Sequence, residues 1–196
     1  MAERLILASQ SASRQAMLKN AGLKFEAIPA NLDERAIEEK FSGDPQRVTR
    51  ELARQKAIAI ADQNIDALVI GSDSTVDFRG QCLSKANSKQ EALEKLMMLS
   101  GRTHHLISSV SVAKGRTIMW DATEVATLTM RKFDEAFAKA YLEKIGDAAT
   151  TCVGAYQLEA LGPWLFEKIE GDYFTILGLP LVKLLSYLQD YHGIKL

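Results

Sequence analysis

Ala67-Leu68-Val69-Ile70-Gly71-Ser72-Asp73-Ser74-Thr75-Val76 is the stretch that decides the fold. Four apolar residues, two of them β-branched, run without alternation, as in a strand covered on both faces. The sequence predicts that this strand ends at a tight turn at Gly71-Ser72-Asp73. Ligands of open α/β sheets bind beyond the carboxyl ends of such strands, so Asp73 is placed to act on a bound group. It is equally readable as the closing residue of an Asx-turn.

Working outward, Leu5-Ile6-Leu7-Ala8 reads as a second short buried strand. It breaks into Ser9-Gln10-Ser11-Ala12-Ser13-Arg14, followed by a helical face of Met17, Leu18 and Ala21 that ends at Gly22. Free amides, hydroxyls and a guanidinium within one turn make an anion site. The alternative is a serine cap with Arg14 in solvent. Neither G-x-x-x-x-G-K-[ST] nor G-x-G-x-x-G occurs, which argues against a P-loop enzyme.

Phe25-Glu26-Ala27-Ile28 is a further strand. The turn-prone Asn31-Leu32-Asp33-Glu34 puts adjacent acids in a loop, where they suit either solvent or a hard divalent cation. Pro45 to Ala61 is a helix with Asp44 before its first turn and Val48, Leu52, Ala59 and Ile60 on its core face. Lys56 sits at the edge of that stripe, where snorkelling is the ordinary expectation. Beyond the central strand, Arg79-Gly80 joins Thr75–Phe78 to Gln81–Leu83 as a hairpin. Lys85 follows, and Ser88-Lys89-Gln90-Glu91 is a capping box for a helix carrying Leu93, Leu96 and Met97 to Gly101.

Thr103–Ala113 and Thr117–Met130 are two long strands linked through Lys114-Gly115-Arg116, which makes part of the sheet antiparallel. His104 and His105 fall on opposite faces and cannot grip one metal together; a structural hydrogen bond is the ordinary role for either. Phe133 to Ile145 is an amphipathic helix with Phe137, Tyr141 and Ile145 on one face. Tyr156 and Trp164, in irregular chain, suit either the core or the wall of a site for a planar ligand. A last helix packs through Leu181, Leu184, Leu185 and Leu188 to Gly193. No repeat, low-complexity segment or linker breaks the chain, so residues 1–196 read as a single domain.

Composition narrows the classes. The chain is 47% hydrophobic and 25% charged, with 24 basic and 25 acidic residues, a net charge of −1. No global field draws it to nucleic acid or anionic lipid, so a polyanionic ligand must meet a local cluster of cations. The N-terminal apolar run is too short for a signal peptide and no segment approaches a membrane span. Cys82 and Cys152 form no metal motif and read as small buried hydrophobes of a reducing, cytoplasmic environment.

Taken together, Leu7-Ala8-Ser9-Gln10-Ser11 with Arg14, Asp33-Glu34, Gln55-Lys56-Ala57, Gly71-Ser72-Asp73, Lys85, Leu99-Ser100-Gly101-Arg102-Thr103-His104, Gly154-Ala155-Tyr156, and Gly171-Asp172-Tyr173 with Gly178-Leu179-Pro180-Leu181 resemble the Maf family of nucleotide pyrophosphatases, named for inhibiting septum formation. The resemblance runs from Leu5 to about Leu188. It implies an α/β fold like that of inosine triphosphate pyrophosphatases: an elongated mixed β-sheet flanked by helices, with a deep cleft. It also implies hydrolysis of a nucleoside triphosphate to the monophosphate and pyrophosphate, a divalent metal cation (Mg²⁺ or Mn²⁺), and a homodimer.

By the same resemblance Asp73 matches the proton-accepting aspartate, and Ser9, Arg14, Glu34, Lys56 and Lys85 match phosphate- and metal-handling positions. As carboxylates Glu34 and Asp73 could hold the cation, with Asp73 either taking the water's proton or only ligating the ion that acidifies it. Ser11-Ala12-Ser13-Arg14 departs from the usual Ser-Pro-Arg-Arg, Gly71-Ser72-Asp73-Ser74 from Gly-Ala-Asp-Thr, and Lys85-Ala86 from Lys-Pro. Specificity positions are Ser13, Ser74 and Glu159. Glu159 replaces the glutamine of the branch acting on thymidine and uridine triphosphates, as in the 7-methyl-GTP branch. That second branch has tryptophan and glutamine where this chain has Ser13 and Ser74.

Overall fold

The computed structural model describes residues 3–194, so Met1 and Ala2 of the N-terminal run read above lie outside the described residues. One seven-stranded mixed sheet organises them. Strands β1 (Leu5–Leu7), β2 (Glu26–Ala27), β3 (Leu68–Phe78), β5 (Thr103–Lys114), β6 (Thr117–Met130) and β7 (Phe166–Glu170) lie in the order β2-β1-β3-β5-β6-β7, and β4 (Gln81–Leu83) pairs with β3. Strand β1 runs parallel to β2 and β3; the remaining pairs are antiparallel. Helices cover both faces, the longest being α3 (Pro45–Ala61), α4 (Lys89–Leu99), α5 (Glu135–Ile145) and α8 (Leu181–His192). None among the described residues is long and apolar enough to cross a membrane.

The central strand does not end where the sequence suggested. Strand β3 continues through Gly71, Ser72 and Asp73 to Phe78, because Ser72 to Asp77 stay in register with Val110 to His105 of β5. Asp73 therefore closes no Asx-turn. Something else stops at this level. On the other edge of β3, β1 covers only Leu68–Ile70 and β4 covers only Val76–Phe78. Between them, no strand among the described residues lies alongside residues 71–75 of β3 on that edge, and the chain leaves β1 for α1 (Ala12–Asn20). This gap in the sheet is where the site opens.

Alternation along β3 sends its residues to two sides. Leu68 and Ile70 pack with Val110, Val112, Leu181 and Leu184 under α8, whereas Val69 packs with Ala57 and Ile60 of α3. Gly71 faces α3 at very close range. A Cβ there would collide with the Ala53 carbonyl oxygen and lie 2.6 Å from the Ala57 amide nitrogen. Backbone atoms cannot step aside as a side chain can. Ala53 and Ala57, one turn apart, complete this close approach, which carries Lys56 over Asp73 two residues further along the strand. We expect Gly71→Ala to lift α3 from the sheet and destabilise the protein by about 1–3 kcal/mol, the usual range for overpacking. An unchanged denaturation midpoint would show that α3 tolerates the displacement.

Other expectations meet mixed outcomes. The hairpin forms as read, with Arg79 and Gly80 both at positive φ. Ser88 caps α4 by accepting from the Glu91 amide, but the Glu91 carboxylate accepts from Asn87, one residue before the reciprocal partner of a capping box. Asp33 and Glu34 are not in a loop: Asp33 caps, and Glu34 opens, α2 (Glu34–Lys40). In α5 the buried face is Ala138, Tyr141 and Leu142, and Phe137 is exposed. Neither cysteine is a buried hydrophobe, since Cys82 is exposed on the edge strand β4 and Cys152 is half-buried; both are free thiols.

Candidate functional site

A cleft of about 510 Å³ lies over the gap in the sheet and brings together Ser13, Arg14, Glu34, Lys56, Asp73, Ser74, Lys85, Tyr156 and Glu159. Three of these charged groups are buried: Arg14, Lys56 and Asp73 are each 8–9% exposed. The Lys56 ammonium stands 2.6 Å from Asp73 Oδ1 and 2.9 Å from Glu34 Oε1. Lys56 is thus no snorkelling lysine; α3 drives it into the floor of the cleft. Burial pushes the Asp73 carboxyl above the ordinary carboxylate range, and the charges of Lys56 and Arg14 oppose that rise. Oδ2 of Asp73 accepts no hydrogen bond from the described residues and remains available.

Arg14 approaches from the opposite side of β3. Its Nε donates to the Gly178 carbonyl at 2.9 Å, Nη2 to Ser74 Oγ at 3.0 Å and Nη1 to Ser9 Oγ at 3.4 Å. These acceptors are all neutral, and Arg14 makes no ion pair with a described carboxylate. Burial lowers its pKa, opposed by the charges of Asp73 and Glu34. A guanidinium nevertheless stays charged in proteins. A buried cation without a counter-ion is costly, and facing a cleft it is the natural seat of an anion. Ser9 itself lies behind Arg14 and does not line the cleft: its hydroxyl accepts from Arg14 and from the Ser11 amide. Ser11 caps α1, accepting from the Arg14 amide at 3.4 Å.

The carbonyls that hold α1 come from the far end of the chain. Ser13 Oγ donates to Leu177 O at 3.2 Å, and Gly178 O receives both Arg14 and Ser72 Oγ. Gly178 has φ +101°, and a Cβ there would lie 3.2 Å from Ser74 Oγ. The turn is reached through α7 (Tyr173–Ile176), capped by Asp172, whose carboxylate accepts from the Thr175 amide and hydroxyl. The opposite wall is built by an isolated β-bridge between Lys85 and Val153. Lys85 is exposed, makes no ion pair with a described residue, and lies within reach of a ligand in the cleft.

The family model described as Maf-like protein matches residues 4–191. The chain belongs to the Maf family. A nucleoside triphosphate pyrophosphatase of Rhodopseudomonas palustris is 45% identical over 95% of this chain and 93% of that one. A 7-methyl-GTP pyrophosphatase of Rhizobium meliloti is 46% identical over 97% of each. Among solved structures, a HAM1 protein from Coxiella burnetii aligns with a TM-score of 0.45 and 18% identity over 66% of this chain and 73% of that one.

In this Maf protein Glu34 Oε1 and Asp73 Oδ1 converge on the Lys56 ammonium, so a small cation would meet the two carboxylates through their other oxygens. Glu38, one turn after Glu34, also lines the cleft; its carboxyl is pushed up by burial and by the charges of Glu34 and Asp73. No group of three His, Cys, Asp or Glu among the described residues forms a complete metal cage. An oxygen-only, incomplete donor set fits Mg²⁺ or Mn²⁺, which commonly take one or two carboxylates and complete their shell with phosphate oxygens and water.

Two aromatic residues separate here. Tyr156 is buried yet lines the cleft, whereas Trp164 is 69% exposed and sits in a different depression with Arg131, Phe133 and Phe137. Trp164 is not a wall of this site. Glu38 and Arg35, not picked out in the sequence, line the cleft, and so does Cys82, read there only as a buried hydrophobe. For Glu38 a signal existed: four residues after Glu34, it shares a helix face with it once residues 34–40 are read as helix.

Proposed function

We propose that this Maf protein hydrolyses a nucleoside triphosphate to the monophosphate and pyrophosphate in a metal-dependent reaction that clears unwanted nucleotides. The observation that carries the reading is the buried Asp73 with one oxygen open to the cleft, flanked by Lys56 on one side of β3 and the unpaired Arg14 on the other. The names borne by relatives at 45% and 46% identity agree with it.

In this reading the triphosphate lies across the gap in the sheet. Water attacks the α-phosphorus, the bond to the bridging oxygen breaks, and that oxygen leaves with the pyrophosphate. Phosphoryl transfer is chiefly alignment and charge stabilisation. Arg14 grips phosphate oxygens through the N–H groups it presents to the cleft. Lys56 and Lys85 act as point charges on the departing pyrophosphate. Asp73 Oδ2 serves the attacking water, either as the base that takes its proton or as a ligand of the ion that acidifies it. Glu34 and Asp73 would hold the divalent cation, which when bound neutralises phosphate charge and acidifies water. The test is a pyrophosphate-release screen over ordinary, methylated and otherwise modified nucleoside triphosphates with Mg²⁺ or Mn²⁺. Binding without turnover across all of them would make the protein a nucleotide-binding regulator instead.

Base preference turns on Glu159, which is exposed on the cleft wall near Tyr156. An ionised carboxylate only accepts hydrogen bonds. Guanine offers adjacent N1–H and N2–H₂ donors and cytosine an amino group, whereas uracil and thymine offer one N3–H between carbonyls. A mismatch of this kind is worth roughly ten- to a hundredfold in specificity. Glu159→Gln should therefore shift the ranking towards thymidine and uridine triphosphates. A ranking unchanged by the substitution would remove Glu159 from base reading.

A further inference from the structure

The cleft wall opposite Arg14 ends in an arrangement that the proposed reaction does not use. His104, at the start of β5, is 1% exposed, and its Nε2 lies 3.0 Å from the Tyr156 hydroxyl. Phe166 closes the cluster, edge-on to Tyr156 at 5.0 Å between centroids and 6.1 Å from the imidazole. Burial lowers the His104 pKa to about 4 and raises that of the Tyr156 phenol, so both partners are neutral at physiological pH. His104 Nδ1 is buried and has no hydrogen-bond partner among the described residues.

What the hydrogen bond does hold is a strained turn. Gly154 and Ala155 both have left-handed backbone, φ +79° and +59°. Alanine adopts that region only where its surroundings enforce it. On one side the Lys85–Val153 bridge fixes the chain, and on the other the Tyr156 ring packs over Gly154 so closely that a Cβ would strike it. Immediately after Tyr156, Leu158 and Glu159 come back to the cleft.

We propose that His104 and Tyr156 form a positioning pair that fixes the 153–159 wall of the cleft and thereby sets how sharply the site discriminates between bases. This rests on the reading of the cleft as a nucleoside triphosphate site. Tyr156→Phe deletes one hydroxyl and keeps the ring; His104→Leu removes the partner, and His104→Gln keeps a polar end for the hydroxyl. The measurements are kcat and KM for guanosine and uridine triphosphates, calorimetric Kd for the two monophosphates, and the thermal midpoint.

The pair predicts a KM rise of about tenfold for guanosine triphosphate in Tyr156→Phe and His104→Leu, the loss of one good hydrogen bond. It further predicts kcat within about threefold, a uracil-to-guanine ratio that falls towards unity in both KM and Kd, and partial recovery in His104→Gln. Wild-type ratios in the two deletion variants would overturn it. So would equal losses for both nucleotides that follow a lowered thermal midpoint, the signature of a structural role. If the wild-type protein binds but does not turn over, the catalytic reading fails while the Kd ratios still decide this one.

Discussion

Asp73→Asn is expected to cut turnover by at least about 10²-fold, the lower end for loss of a general base, with the fold retained. The substitution keeps the shape and leaves an oxygen to accept from Lys56. Lys56 also keeps Glu34 at 2.9 Å, so the buried ammonium is not stranded. The effect should then fall on kcat, because the neutral amide can neither take a proton nor hold a cation as a carboxylate does. Near-normal turnover would reduce Asp73 to a counter-ion for Lys56. A collapsed thermal midpoint would show that the ion pair holds α3 on β3 more than it serves chemistry.

Arg14→Lys is the second large effect, with kcat/KM expected to fall about 10–10²-fold, equally for every base. Lysine keeps the charge but not the fork. Arg14 spends Nε on Gly178, Nη2 on Ser74 and Nη1 on Ser9, and these bonds aim its remaining N–H groups at the cleft. An ammonium cannot reproduce that aim. Because phosphates are common to all nucleotides, a loss that varied strongly with the base would mean that Arg14 contacts the base end. Steady-state kinetics on two nucleotides of opposite base type separates these outcomes.

Much of this site is legible in the sequence because strands and helices with strong patterns carry it. The unbroken apolar run of β3, the proline-led start of α3 and the serine-rich entry to α1 all form where read. Two features were hidden for different reasons. The continuation of β3 through Gly71-Ser72-Asp73 depends on pairing with β5, more than thirty residues later, and local turn propensity favours the opposite outcome. Helix α2 buries no residue along its length, so it lacks the apolar stripe that marks a helix, and Glu38 was lost with it. The role of Gly178 was invisible for a third reason. It acts through a backbone carbonyl 164 residues from Arg14, and sequence pattern says nothing of where a carbonyl points.

In the proposed reaction Asp73, Lys56 and Arg14 direct water onto the α-phosphorus of a nucleoside triphosphate. Hydrolysis in ¹⁸O-enriched water with Mg²⁺, followed by mass analysis of the products, tests it most directly. The expected products are nucleoside monophosphate and pyrophosphate in equal amounts, with one ¹⁸O in the monophosphate. Nucleoside diphosphate with orthophosphate, or label recovered in the pyrophosphate, would contradict it.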